Sequence, residues 1–552
     1  MDSEPTHMHV SNVAVKKESL PGGQHGGLRG TGWFRLLAPS VTDLFFIAIL
    51  FSLACGPFGM RLLGDAGIGW HIRNGEQILR THAVPHTDSF SITMTGHAWY
   101  AWEWLYDLLI ALIHGWLGLN GVVFFTALII AVTFAVSLHV GLQRGGTVPI
   151  TLLLLVLSIA AASVHFLARP HVLSWLFAVL WFHLLDSDLV MSRERKARGL
   201  FWYPLIMVLW VNLHGGFLLG FILFAIYVAG TLIRFFSREE EERKLIAGRL
   251  KYVGSAALLS FMASLVNPYG YKLYTHIYEY LGNRFLMDHI DEFLSPNFHG
   301  GAQECFAALL LIALIALAAT HEKLHPARLL VIVFAAYSGL YSSRNLPLSS
   351  ILLTLIIVPI LSTTIASAAE NSRIVPPLRL IFARLTSFSN RITTKESAFR
   401  GHLWAILAFI FGIAVCLHGG RVGNQSWINA HFSPKRFPVE ATNIIVKNII
   451  VRRGIHDPIF CPDYWGGYLI YRLYPQSKVF IDDRHDLYGE QFLEQYLQVI
   501  HVGPDWSKVL DRWQVNWVLS PTRSSLTNIL KESPQWTPQY ADQTATLFER
   551  VQ

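Results

Sequence analysis

Charge is scarce in this chain. Asp, Glu, Lys and Arg make up 15% of its 552 residues, against about 25% in soluble globular domains, which excludes an ordinary water-soluble enzyme. Cysteine is scarcer still. The chain has four; Cys55, Cys305 and Cys416 fall in or beside apolar runs and Cys461 has no evident partner, so no disulfide framework is expected. There is no Cys/His spacing of the zinc type, no Gly-x-x-x-x-Gly-Lys phosphate loop and no nucleophile elbow. Tandem repeats and low-complexity segments are also absent.

What the chain has in quantity is apolar sequence. Hydrophobic residues make up 52% of it, and its mean hydropathy is +0.39. Runs long enough to span a bilayer recur between residues 41 and 419. This predicts a polytopic α-helical membrane protein with a soluble tail. The net charge of +7 invites a nucleic-acid partner, but the basic residues sit in short loops between apolar runs, as cytoplasmic loops do. No nucleic acid is expected; membrane lipids are. Residues 1–38 are polar and glycine-rich, carry Lys16, Lys17, Arg29 and Arg35, and read as a disordered cytoplasmic arm. No small-residue cleavage site follows the first apolar run, so they do not read as a signal peptide. Residues 39–419 form the expected transmembrane domain and 420–552 a soluble domain. In that tail, strands expected at 458–461, 478–482, 516–519 and 545–549 alternate with helices expected at 438–453, 465–473, 489–501 and 506–513. Such alternation predicts a small α/β layer domain.

Sidedness turns on residues 99–117. They are apolar enough to cross, but Glu103, Asp107 and His114 fall on one helical stripe, and Trp99, Trp102, Trp104 and Trp116 crowd the same segment. We read it as an interfacial amphipathic helix within a first external loop, 61–118. Spans then fall near 41–60, 121–141, 149–168, 171–187, 200–214, 216–236, 251–267, 304–320, 326–341, 345–368 and 401–419, about eleven crossings with the amino terminus inside and the carboxy terminus outside. The run 200–236 is split at His214-Gly-Gly216. With this count the basic segments 193–198, 238–249 and 373–400 are cytoplasmic, as the positive-inside tendency requires. The polar segments 65–103, 169–171, 212–216, 267–270, 288–296 and 343–345 then share the external face with the tail.

Those segments hold the residue types that carry chemistry. Asp65 follows the first span among Gly64, Gly67 and Gly69, which let a ligand approach the backbone closely. Its carboxylate can take a proton from an acceptor hydroxyl; alternatively it caps a helix or pairs with Arg61 or Arg73. Glu103 is a second acid, a metal ligand or a partner for sugar hydroxyls, with the wet face of an amphipathic helix as the plain alternative. Arg169 and Arg344 are fixed cations suited to a phosphate leaving group, or they snorkel to lipid headgroups. His214, His165 and His171 add donors or serve as structural hydrogen-bond partners. His71, Arg73, Glu76, Trp99, Trp104, Asp463 and Tyr464 are the candidates for acceptor and sugar. Asp88 reads as a loop cap. Asp288, Asp291 and Glu292, around His289, are the candidates for a divalent metal; no other cofactor is expected.

This layout resembles the GT-C superfamily of integral-membrane glycosyltransferases, which has an Asp soon after span one, interfacial helices behind it, many spans and an external carboxy-terminal α/β domain. The stretch Asp65-Ala-Gly-Ile-Gly-Trp-His-Ile-Arg-Asn-Gly-Glu-Gln-Ile-Leu79, with Gly466-Gly-Tyr-Leu469 and Val479-Phe-Ile-Asp-Asp-Arg484, is similar to a bacterial subgroup of GT-C-like proteins. The resemblance implies that Asp65 is the family's first-loop acid, a general base or acceptor-binding group. Cys461-Pro-Asp-Tyr-Trp-Gly-Gly-Tyr-Leu-Ile470 resembles the region around Trp-Trp-Asp-Tyr-Gly in the catalytic subunit of oligosaccharyltransferases. Here the order is Asp463-Tyr464-Trp465-Gly466, and no Asp-x-Asp stands in 165–171. Both departures point away from metal dependence and peptide glycosylation. They leave a polyprenyl-phosphate-sugar transferase as the closer analogue. The expected activity is inverting transfer of a sugar from a polyprenyl-phosphate donor to a glycan, lipid or protein acceptor. It would take place on the external face of a bacterial inner membrane, with the tail periplasmic or extracellular. Asp65 activates the acceptor, Glu103 assists, and Arg169, Arg344 and His214 hold the phosphate. A lipid-linked sugar flippase would need polar groups at mid-membrane and internal repeats, and the sequence has neither. A non-catalytic envelope assembly protein is the other rival.

Overall fold

The computed structural model describes residues 37–189, 199–396, 402–451, 453–454 and 456–551. Residues 1–36 of the expected arm, the basic residues 193–198 and Arg400 lie outside the described residues. Among the described residues six helices are long and apolar enough to cross a membrane: Trp104–Gln143, Val148–His165, Gly215–Phe236, Glu240–Ser264, Gly301–Ala319 and Ser343–Glu370. Val41–Ala54, His171–Ser187, Trp202–Leu213, Pro326–Tyr341 and Leu403–Leu417 are shorter apolar helices. Each apolar run singled out in the sequence overlaps one of these helices, several of which begin ahead of it, as Trp104–Gln143 and Glu240–Ser264 do. Val41–Ala54 starts at a capping box of Ser40 and Asp43, and the Glu396 carboxylate accepts the free amides of Val41 and Thr42, so its first turn has no orphan donor.

Two breaks position the site. Gly118, at φ 60° and ψ −159°, interrupts Trp104–Gln143; that conformation is cheap only for glycine, and it separates 104–117 from 119–143. His214 is extended, at φ −166° and ψ 142°, between Trp202–Leu213 and the tight turn Gly215–Phe217. The run 200–236 is therefore two helices.

The stripe on 104–117 departs from expectation. It does not face water. Asp107 is fully buried because this helix lies against Gly67–Thr81. Gly75 permits the contact, since a Cβ there would stand 1.9 Å from the Asp107 carbonyl oxygen.

The tail carries a two-residue hairpin, β1 (Arg421–Val422) with β2 (Gln425–Ser426), and a four-stranded sheet. In the sheet, β3 (Ile459–Phe460) runs parallel to β4 (Trp517–Pro521); β4 pairs antiparallel with β6 (Ala545–Arg550), and β5 (Trp536–Ala541) closes the far edge. The strand expected at 478–482 is not one. Val479 makes only isolated bridges, to Ile459 and to Ser91 of the first loop. Its amide and carbonyl are used by Phe90 and Ile92, at 3.2 and 2.9 Å. The helix expected over 438–453 is α-helical over Val439–Ile444 and widens to a π-helix over Ile445–Val451. β5, the hairpin and the helix Ser525–Glu532 are additions the sequence pattern does not mark.

The tail is not a separate ball. One apolar cluster runs from Phe46 and Ile72 into Trp465, Leu469 and Leu547; a second, with Phe460, Phe480 and Phe548, lies on the sheet's other face. Helix Asp463–Leu473 crosses Gly67–Thr81 at paired glycines. A Cβ on Gly69 would come 2.2 Å from the Gly467 carbonyl oxygen, and one on Gly467 would come 2.4 Å from that of Ala66. Gly69→Ala must push the helices apart, and a stability loss of about 1–3 kcal/mol is expected, read as a lower melting temperature of the purified protein.

Candidate active site

Asp65 lies in the turn before Gly67–Thr81. Its Oδ1 accepts from the Gly67 amide at 2.8 Å and from Arg169 Nε at 2.8 Å. Arg169 comes from the loop ahead of His171–Ser187, and a second nitrogen of its guanidinium donates to Asp483 of the tail. Asp483 also accepts from Trp70 Nε1 at 3.0 Å. One guanidinium therefore joins two carboxylates from opposite parts of the chain. Its remaining amino group stands 4.0 Å from Glu292, and Glu292 accepts from Arg344 at 3.0 Å. Arg344 lies over the Phe293 ring at 5.1 Å and is 35% exposed, so it keeps donors toward solvent. Burial, with Asp65 beside it, pushes the Asp483 carboxyl up to about 6 against the pull of Arg169. Burial also opposes ionisation of Glu292, but Arg344 and Arg169 outweigh it and hold that carboxyl down to about 2.

Glu103, placed ahead of the first turn of Trp104–Gln143, lies near enough for the charges of Arg344 and Arg169 to act on it. It stands between His71 Nε2 at 3.8 Å and His214 Nε2 at 3.6 Å. The Gly216 amide donates to His214 Nδ1 at 3.0 Å, so the imidazole proton is on Nε2, facing Glu103. His71 Nδ1 is 2.5 Å from Asp107, and Asp107 also accepts from Asn74 at 2.6 Å. Burial, reinforced by Asp107, pushes the Glu103 carboxyl well above its usual range. Burial, reinforced by Arg169, drives His71 well below its ordinary value. A raised carboxyl between uncharged imidazoles is suited to exchanging a proton with a neighbouring group.

The structure thus gathers Asp65, His71, Glu103, Arg169, His214, Glu292 and Arg344, drawn from distant stretches of the sequence. His171 and His165 tie the neighbouring loops together. His171 bonds the His165 carbonyl at 2.8 Å, and His165 bonds that of Ser343 at 3.0 Å. Other candidates sit apart. Arg73 pairs with Glu76 at 2.7 Å and donates to the Tyr471 carbonyl. Trp99, only 4% exposed, lies under the Arg484 guanidinium at 4.6 Å, so that face is taken. Trp104 donates to Asn212 at 2.7 Å. Asp463 accepts from His485 and from the Tyr496 hydroxyl, at 2.8 and 2.9 Å, whereas Tyr464 beside it is exposed. Asp88 caps the Phe90 and Ser91 amides and also pairs with Arg484 at 2.8 Å. Among the described residues no three His, Cys, Asp or Glu side chains gather as metal ligands, and the Glu292 carboxylate is held by arginines. Asp483, Arg484 and Asn74 stand in stretches quoted for the resemblance, but the sequence assigned them no role. The available signal was the titratable run Asp482-Asp483-Arg484-His485 directly after apolar Val479-Phe480-Ile481.

No protein-family model matches the chain, and no curated protein does. Solved structures match over nearly its full length. ArnT from Cupriavidus metallidurans bound to undecaprenyl phosphate is 12% identical, with 95% of this chain and 98% of that one covered at a TM-score of 0.51. The archaeal oligosaccharyltransferase AglB from Archaeoglobus fulgidus, in complex with an inhibitory peptide and a dolichol-phosphate, is 11% identical, with 94% and 74% covered at 0.56. The Archaeoglobus fulgidus oligosaccharyltransferase tethered to an acceptor peptide containing the NVT sequon is 10% identical, with 94% and 74% covered at 0.55. At such identities the likeness is one of architecture: this chain shares its fold with ArnT and with the Archaeoglobus fulgidus oligosaccharyltransferase.

Proposed function

We propose that this protein is a GT-C-type glycosyltransferase that moves a sugar from a polyprenyl-phosphate donor to an acceptor at the external membrane face. The observation that carries the reading is the convergence of Asp65, Arg169, Glu292, Arg344 and Asp483 in one polar cluster, in a fold shared with proteins solved with undecaprenyl phosphate and dolichol-phosphate. In this reading Arg344, with donors open to solvent, meets the donor phosphate, and Arg169 lies behind it across Glu292. Negative charge builds on the phosphate oxygen as the bond to the sugar breaks, and fixed guanidiniums stabilise it most at that moment. Asp65 takes the proton from the acceptor hydroxyl, whose oxygen attacks the anomeric carbon from the face opposite the leaving phosphate, so the configuration inverts. Glu103, His71 and His214 relay protons beside it.

Retention of undecaprenyl phosphate by the purified protein, read by native mass spectrometry, tests this. Arg344→Ala is expected to lower retention about tenfold, in line with loss of a charge-assisted phosphate contact. Equal retention by variant and wild type overturns the assignment of Arg344. A pH–rate profile tests Asp483. Because its pKa is raised to about 6, the carboxyl protonates below that pH and releases Arg169. Transfer is therefore expected to fall as pH drops through about 6, and Asp483→Asn to remove that limb.

A further inference from the structure

Helix His171–Ser187 begins beside Arg169 and ends, about 25 Å away at 1.5 Å per residue, in a second cluster of charge. Asp186 accepts from Arg328 Nε and its amino group at 3.0 and 2.9 Å, from the Tyr227 hydroxyl at 2.9 Å, and from Arg144. Arg249 donates to the carbonyls of Asp188, at 3.1 Å, and Leu189. Arg234 lies near enough for its charge to act on Arg249. Gly230, one turn before Arg234, is so close to the start of Pro326–Tyr341 that a Cβ would stand 2.3 Å from the Ala327 nitrogen. His325 caps that helix by accepting from the Ala327 amide at 3.2 Å, and it feels the charges of Arg234, Arg249 and Arg328 together.

Four guanidiniums gather here: Arg144 and Arg328 bond the Asp186 carboxylate, while Arg234 and Arg249 lie near enough to act on each other and on His325. The opposing carboxylates are Asp186, Asp188, which accepts from the Tyr203 hydroxyl at 2.7 Å, and Glu322, whose charge acts on Arg328. Several buried donors have no partner among the described residues: Arg144 Nη2, Arg234 Nε, Arg249 Nε and His325 Nε2. The His325 proton is on Nε2 because Nδ1 accepts. Buried N–H groups without acceptors are costly, and here positive charge is in excess. The group that answers both is a compact anion offering only acceptors. Ile233, Phe236 and Leu245 stand exposed beside the cluster, on helices apolar enough to lie in a membrane, where acyl chains would cover them. Basic pockets between helix ends are known traps for anionic headgroups.

We propose that this cluster binds a phosphate group, carried by an anionic phospholipid of the surrounding leaflet, at a site separate from the one assigned to the lipid-linked donor. The test uses the full chain in detergent. Native mass spectra are compared with added phosphatidylglycerol, phosphatidylcholine or inorganic phosphate, for the wild type, Arg234→Gln/Arg249→Gln and Arg344→Ala. The expected result is preferential retention of phosphatidylglycerol, falling about fivefold per arginine removed and unchanged in Arg344→Ala. Retention of inorganic phosphate without phosphatidylglycerol preference, lost in the double variant, supports the anion site and assigns it to free phosphate. Equal retention of both lipids, with no phosphate bound, overturns the proposal, as does a double variant that folds and binds like the wild type. Should the double variant fail to fold, hydrogen exchange on the wild type decides: phosphatidylglycerol must slow exchange at 325–329 more than phosphatidylcholine does, and equal exchange sinks the idea. Because Arg344→Ala separates the two sites, failure here leaves the transferase reading untouched.

Discussion

Asp65→Asn is expected to lower glycosyl transfer by about 10²–10⁴-fold, the usual worth of a positioned general base, while the protein still folds and inserts. Asparagine keeps a carbonyl oxygen where Oδ1 now accepts from Gly67 and Arg169, so the turn and the arginine keep their positions. The variant loses only charge and basicity. The measurement is transfer of labelled sugar from a polyprenyl-phosphate donor, with a thermal melt as folding control. A wild-type rate would remove Asp65 from the chemistry and shift attention to Asp483 and Glu103. The same variant separates the rivals. A binding-only assembly protein loses nothing that turnover could report, because it has no turnover to lose.

The largest stability effect should come from Arg484→Met, expected to cost about 3–5 kcal/mol, the range for removing one partner of a buried ion group. Arg484 is 2% exposed. It bonds Asp482 through Nε and an amino group at 2.8 and 2.7 Å and reaches Asp88 at 2.8 Å. Trp99, Phe90 and Trp70 enclose it at 4.6, 5.2 and 5.8 Å. Removing the cation leaves two buried carboxylates facing one another in an aromatic cage. The pH dependence has a definite sign. Burial opposes ionisation of Asp88, but Arg484 and the Ser91 bonds outweigh it and lower its pKa. The stability this group contributes is thus present above its unfolded pKa near 3.8 and is lost as pH falls through the lower folded value. In Arg484→Met, Asp88 loses the cation that holds its pKa down and protonates more readily, so the deficit against wild type should shrink as pH is lowered from 7 toward 4. Melting curves of both proteins across that range check this, and adding Asp482→Asn should restore part of the loss. The effect would reach function as well, because Asp483 is held between the two ends of this ion group.

Much of the molecule was legible from local pattern. Apolar runs mark the helices because burial or lipid contact is required over whole turns. The break at His214-Gly-Gly216 was readable because glycine weakens a helix wherever it stands. Asp65, Arg169 and Arg344 could be singled out because an ionisable group beside an apolar span is expensive to keep. The tail's sheet was only half visible. Val479 looks like part of a strand from its β-branched, aromatic surroundings, but its partners are Ser91 and Ile459, and no periodicity within 478–482 names them. Glu103 and Asp107 likewise read as the wet edge of an interfacial helix until Gly67–Thr81 is seen to cover them.

The sequence alone settled where the chain is apolar, where glycine and proline interrupt it, and which few charges lie beside the spans, because these are properties of neighbours along the chain. Tertiary structure alone decided that Arg169 meets Asp483 across 314 residues, that Glu103 lies between two imidazoles, and that Trp99 packs against an arginine. Those contacts depend on loops closing and helices packing at glycine crossings, and the partners lie too far apart in the chain for any local signal to connect them.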